Sequence, residues 1–268
     1  MIAHVEVVPS ASEWPSTLIF TMLLIAVAWV YNRGLDRLPG MSNRRSHAIG
    51  MGAALTVLLV VFIPPVEEAA DASFTIHMVQ HLILIVLIPV LLVYAKAGRC
   101  LMMGLPWKGR RALSRIRHAA RSVGRMTTVI FAGVLFAVVL WGWHLPVMYD
   151  AAVRNEPIHN LEHTTFLVAG LLLWMVVMDE RYGFLPRGIL VFGTAFQSGL
   201  LGAALVFAPV PLYQSHLQQS LLPLSPLGDQ QLAGGIMWMP LGGVFLLTLY
   251  FMVTKVLADT HGELPIDA

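Results

Sequence analysis

Five histidines carry the spacing that metal chemistry needs. His77 and His81 stand four residues apart, and so do His159 and His163. On a helix that interval puts both imidazoles on one face, about 6 Å apart along the axis. Two such pairs on facing helices, with His144 near the end of a third, can surround one ion with neutral ring nitrogens. Such a donor set suits copper or zinc rather than magnesium or calcium, which take oxygen ligands. Glu162, Gln80 and Asp229 are the acceptors that could sit behind those ligands and orient them, with Gln230 beside the last. Met78, Met148, Met237 and Met239 lie toward the same end, and Met78, Met237 and Met239 are the candidate thioether donors, which would favour Cu(I). Each residue also has a plainer reading. A lone membrane histidine is usually an inter-helix hydrogen-bonder, and a methionine is usually packing.

The elements that must position these residues are membrane spans. The chain is 57% hydrophobic and 12% charged, with a mean hydropathy of +0.73. A soluble domain of this length could not cover its surface with so few charges, whereas a bilayer solvates apolar side chains directly. A span needs roughly 20 mostly apolar residues, and the runs that qualify are 16–31, 48–63, 74–94, 126–145, 157–178, 189–207 and 231–254. The expected fold is therefore all-α: one integral domain over residues 1–268, a polytopic bundle of about seven transmembrane helices. Run 48–63 is the shortest and contains Gly50 and Gly52, which makes it the weakest. Pro89 and Pro240 fall inside runs, where each removes a backbone donor and kinks its helix. Strands do not fit, because the runs are continuous rather than alternating.

Every Lys and Arg of the 17 except Arg154 falls in the first, third or fifth loop or the C-terminal tail. The positive-inside rule then places the N-terminus outside and the C-terminus in the cytoplasm, which an odd number of spans requires. The five paired or flanking histidines fall at the outer ends of the third, fourth and fifth spans. His47, His118 and His261 fall on the cytoplasmic side, and His4 and His216 in outer segments. The first ten residues lack Lys and Arg, so the first apolar run reads as a retained helix rather than a cleaved leader. The Arg-rich stretch 110–125 reads as a cytoplasmic segment lying on anionic lipid, with a partner-docking surface as the sharper alternative.

Several chemistries are weighed and set aside. His159-Asn160-Leu161-Glu162-His163 matches the inverted zinc-protease pattern, but five residues with two free positions are a weak signal and that family's soluble scaffold is absent. A retinal protein needs a lysine in the middle of its last span, and Lys255 sits at the edge. A transporter calls for broken helices or charges at mid-depth, so transport is not the favoured reading. Cys100 is the single cysteine, which excludes an internal disulfide and a thiolate-pair metal site.

Four stretches carry a resemblance: His77-Met78-Val79-Gln80-His81-Leu82, Trp143-His144-Leu145-Pro146 with Tyr149 and Ala152, His159 with Glu162-His163 and Phe166, and residues 227–234 running into Met237-Trp238-Met239-Pro240. Phe207-Ala208-Pro209, Pro211 and Tyr213 fit as well. The chain resembles the multi-helix CtaG family of bacterial cytochrome c oxidase assembly factors. The unrelated single-span copper chaperone of the same name uses a cysteine pair, which this chain does not have. The resemblance implies a part in maturing a haem–copper oxidase, with copper handled on the outer side of the bacterial cytoplasmic (inner) membrane. It implies no enzyme activity. Oxidase subunits, membrane lipid and a soluble copper donor are the expected partners, and nucleic acid is not. Two rival readings stay open: a haem-binding electron-transfer protein with histidines as axial ligands, and a metal-free scaffold for oxidase subunits.

Overall fold

The computed structural model describes residues 14–122, 124–217 and 221–262, which form helices with no strand among them. His4 lies outside these residues, and the side chains of His118 and His261 are not among those described. Among the described residues, six helices are long and apolar enough to cross a membrane, or seven if a bent pair counts as one span. The expected all-α bundle is thus borne out.

The first helix of the bent pair carries the weakest apolar run, 48–63. Helix α1 spans Trp14–Asp36 and α2 Arg44–Val61; α3, Pro64–Asp71, then leaves α2 at an angle of 57°. The cause is local. Pro64 and Pro65 have no backbone N–H to continue α2, and Ile63 before them is driven to extended backbone, φ −76° and ψ 145°. A proline is also well suited to the first turn of a new helix. The sequence reading took no broken helix into account, and here there is one.

Helix α4, Phe74–Tyr94, coincides with its apolar run. Its start is doubly fastened: Ser73 is the N-cap, and the carboxylate of Asp229 accepts from Ser73 Oγ (3.2 Å), Phe74 N (2.9 Å) and Thr75 N (3.1 Å). Halfway along, Ile83–Leu87 widens into a π turn, with the Ile88 N–H reaching back to the Ile83 carbonyl. Pro89 explains the disturbance, since it offers no donor to the carbonyl four residues earlier, that of Ile85. Trp174 Nε1–H supplies the missing bond at 2.9 Å.

The remaining helices are α5 Ala97–Gly104, α6 Trp107–Ser122, α7 Arg125–Trp143, α8 Pro146–Arg154, α9 Glu156–Val177, α10 Phe184–Val206 and α11 Pro226–Gly262. The Arg-rich stretch is helical through α6. Helix α9 begins at Asn155, whose side chain accepts from the Ile158 N–H, and has Pro157 in its first turn. Helix α11 has 37 residues, about 55 Å of rise, and therefore outruns a bilayer. Apolar runs mark where lipid is met, not where a helix stops, which is why α10 and α11 begin before 189 and 231.

Close approach sets the packing. A Cβ on Gly202 would stand 2.9 Å from the Gly234 carbonyl, and one on Gly234 2.9 Å from that of Gly202, so α10 and α11 touch backbone to backbone. A Cβ on Gly170 would fall 2.7 Å from the Ile85 carbonyl, which seats α9 directly on the π turn of α4.

Candidate metal centre

Helices α4 and α9 bring the two histidine pairs face to face. His77, His81, Glu162 and His163 are 0–3% exposed, and His159 is half-buried beside them. The ring centroids of His77 and His159 are 5.2 Å apart, those of His81 and His163 5.3 Å, and those of His159 and His163 4.2 Å. Glu162 reaches between them: one oxygen lies 3.8 Å from His77 Nε2 and the other 3.6 Å from His81 Nε2. Those separations are too long for hydrogen bonds. They are close to the ~3.4 Å between two donors on one tetrahedral ion with bonds of ~2.0–2.1 Å.

The polar atoms here lack partners within the protein. Both ring nitrogens of His77, His81 and His163, both oxygens of Glu162, and Nε2 of His144 and His159 are buried and make no hydrogen bond. Each such atom costs about 1–3 kcal/mol, and a whole group of them would rival the stability of a domain, about 5–15 kcal/mol. One ion would satisfy several at once. The residues fit that role: His77, His159, Glu162 and His163 each offer a ligand atom within 4.8 Å of the others. Donors on one ion stand at most about 4.2 Å apart, so small rotamer adjustments would close the set.

His144 stands next to this group, its ring 6.3 Å from that of His81. Its Nδ1 lies 2.7 Å from the Leu140 carbonyl, which can only accept, so Nδ1 carries the proton and Nε2 keeps its lone pair. That is the tautomer of a histidine ready to bind a metal through Nε2.

The expected supporting residues divide. Glu162 stands among the ligand atoms rather than behind them. Asp229 accepts hydrogen bonds from the N-terminus of α4, so it holds the helix that presents His77 and His81. Gln80 Nε2 donates to the Val61 carbonyl at 2.8 Å, tying α4 to the last turn of α2. Met78 and Met237 are buried in the apolar core. Met239 does not belong to the buried group, because it is 76% exposed on the outside of α11; Met148 is also exposed.

Sequence reasoning missed the aromatic layer over His77. Phe74, Tyr149, Tyr213 and His216 pack with ring centroids 4.5–5.7 Å apart, and Tyr149 lies 5.2 Å from His77. Tyr149 Oη and His216 Nε2 share a hydrogen bond of 2.8 Å, and Tyr213 Oη donates to the His144 carbonyl at 3.0 Å. Burial holds His216 well below its ordinary value, at about 4, with His77 adding to the effect. Burial also pushes the Tyr149 hydroxyl up. Both groups are therefore neutral at pH 7. Asp150, which accepts from Ser215 Oγ at 2.7 Å and Ser215 N at 2.9 Å, pins this loop in place. Tyr213 and His216 lie between the long helices, where no periodicity marks them, so the sequence signal for this layer is Tyr149 and Tyr213 within the resembling stretches.

Comparison with known proteins gives one family and two relatives. A family model described as the cytochrome c oxidase caa3 assembly factor matches residues 29–259. An uncharacterized protein of Mycobacterium bovis and one of Mycobacterium tuberculosis are each 28% identical over 189 residues, 65% of this chain and 28% of the relative. The chain thus spans about a quarter of the length of the curated relatives it matches. No solved structure matches.

Proposed function

This chain belongs to the family of cytochrome c oxidase caa3 assembly factors, and from that premise we propose that it binds copper at the His/Glu cluster and passes it to a haem–copper oxidase. One observation carries the reading: His77, His159, Glu162 and His163 each offer a ligand atom within 4.8 Å of the others, and the buried nitrogens and oxygens here and on His81 include many with no hydrogen-bond partner. Imidazole with carboxylate suits copper and zinc, and copper binds such donors more tightly than its neighbours in the first-row series. The oxidase link favours copper further. A haem would use only two axial nitrogens, and the cluster gathers more than that.

In this role the copper is cargo. His77 and His81 on α4, and His159, Glu162 and His163 on α9, would hold it, with His144 as a neighbouring nitrogen. The aromatic layer of Phe74, Tyr149, Tyr213 and His216 keeps water from that side of His77. The distribution of Lys and Arg supports an outward-facing cluster in the bacterial cytoplasmic membrane. Oxidase subunits are the proposed recipients and a soluble copper donor the proposed source. Binding and transfer need no catalytic step by the protein itself.

The test is elemental analysis of detergent-purified protein after copper loading and desalting, beside a His77→Ala/His81→Ala variant and a Glu162→Gln variant. About one copper per chain is expected in the parent, lost from the double variant and held at least about tenfold more weakly by Glu162→Gln. A parent that retains no copper sinks the reading and brings the scaffold role forward. Oxidase assembly that survives the double variant would do the same.

A further inference from the structure

A cavity of about 530 Å³ opens between α1, the α2–α3 bend, α8 and α9, and its inner wall includes His159 and His163. Its outer wall carries Glu67, Glu68 and Asp71 on α3 and Glu156 at the start of α9, against a single cation, Arg154. Burial rises steadily inward: Asp71 and Glu156 are exposed, Glu67, Glu68 and His159 half-buried, and His163 buried. His163 is 3% exposed, and neither of its ring nitrogens has a partner. The cavity thus runs from carboxylates at the surface to the imidazole rings of His159 and His163 inside.

The acidic wall concentrates carboxylates on one short helix. Glu67 and Asp71 are four residues apart on a helix of only eight, with Glu68 beside them. The span is also broken just here, and irregular backbone at a membrane face is tolerated where it lines a cavity. Phe62, at the break, sets its ring 5.3 Å from that of His163, so the bend forms part of the passage wall.

We infer that this cleft is the port through which a small aqueous copper ion reaches the histidine cluster, and that its carboxylates draw the cation in. The inference rests on the copper reading above and adds the route and the form of the cargo. A cleft lined by one sign of charge raises cation on-rates by roughly 10–1,000-fold, an effect that salt suppresses. The port admits a free or loosely chelated ion. It does not require a protein donor seated on it.

The test follows the rate of copper(II) loading by stopped mixing and desalting, using the full chain in detergent at low and high salt. Glu68→Gln/Glu156→Gln is compared with the parent and with Asp36→Asn/Glu180→Gln, which removes the same charge at the opposite end of the bundle. The expected result is loading about tenfold slower in the first variant at low salt, with final copper per chain unchanged. That difference should shrink at high salt, and the opposite-end control should match the parent. Asn160→Trp, which narrows the cleft without changing charge, should also slow loading. Equal rates in parent, Glu68→Gln/Glu156→Gln and Asn160→Trp, with copper bound in all three, overturn the port and leave the metal site standing. A parent that binds no copper overturns both.

Discussion

At the scale of single residues the cluster is built from donors that periodicity announces, while the aromatic layer beside it includes His216, which periodicity hides. The i,i+4 histidines read directly because helical phase decides which side chains share a face. Glu162 is three residues after His159, so it lies on the same face, and its place among the ligand atoms follows from that phase. His216 was not legible, since a loop has no phase to read. It nevertheless makes a clear pH prediction. Burial lowers its folded value from 6.5 to about 4, so between those limits the unfolded chain binds more protons than the folded one. The stability tied to His216 is therefore full above pH 6.5 and is lost as pH falls toward 4. His216→Gln keeps a polar end for Tyr149 and should reduce the fall in thermal midpoint across that window. An undiminished fall would assign the effect to other groups.

At the scale of elements the π turn, Pro89, Gly170 and Trp174 form one unit that fixes how α4 meets α9. Without the indole N–H the Ile85 carbonyl would be a buried acceptor with no donor. Trp174→Phe should therefore cost about 1–3 kcal/mol in the parent. In a Pro89→Ala background residue 89 regains an N–H that can serve Ile85, so the same change should cost less. Additive penalties in this double-mutant cycle would show that the two sites are not coupled. Asp229 performs the equivalent task at the start of α4. Asp229→Asn should lower stability by about 1–2 kcal/mol and weaken copper retention alongside it, because a frayed first turn no longer orients His77. Retention unchanged beside a lowered midpoint would separate the cap from the ligands. Pro89 was legible as a disturbance, but its partner was not, because Trp174 is 89 residues from Ile85 in sequence. The bend at Ile63-Pro64-Pro65 was legible in the proline pair, which stands just past the end of the apolar run.

At the scale of the whole molecule the candidate ligands gather at one end of the bundle, and the proposal that this end faces outward rests on the distribution of basic residues. In a Cys100→Ala background, Asn155→Cys should react with a membrane-impermeant thiol reagent on intact cells, and Lys108→Cys only after permeabilisation. The reverse pattern would invert the molecule and remove the outer copper source from the proposed function. The membrane class, the number of crossings to within one bent pair, and the residues that share a helical face were all legible in the amino-acid sequence. They are legible there because burial in lipid and helical phase are properties of local runs. Packing between helices is what brings the two histidine pairs together around Glu162, makes fasteners of Asp229 and Gln80, turns Met239 outward, and opens an acidic cleft to His163. These depend on which helices pack together and how closely. That is settled by glycine contacts and cross-helix hydrogen bonds between residues far apart in the chain.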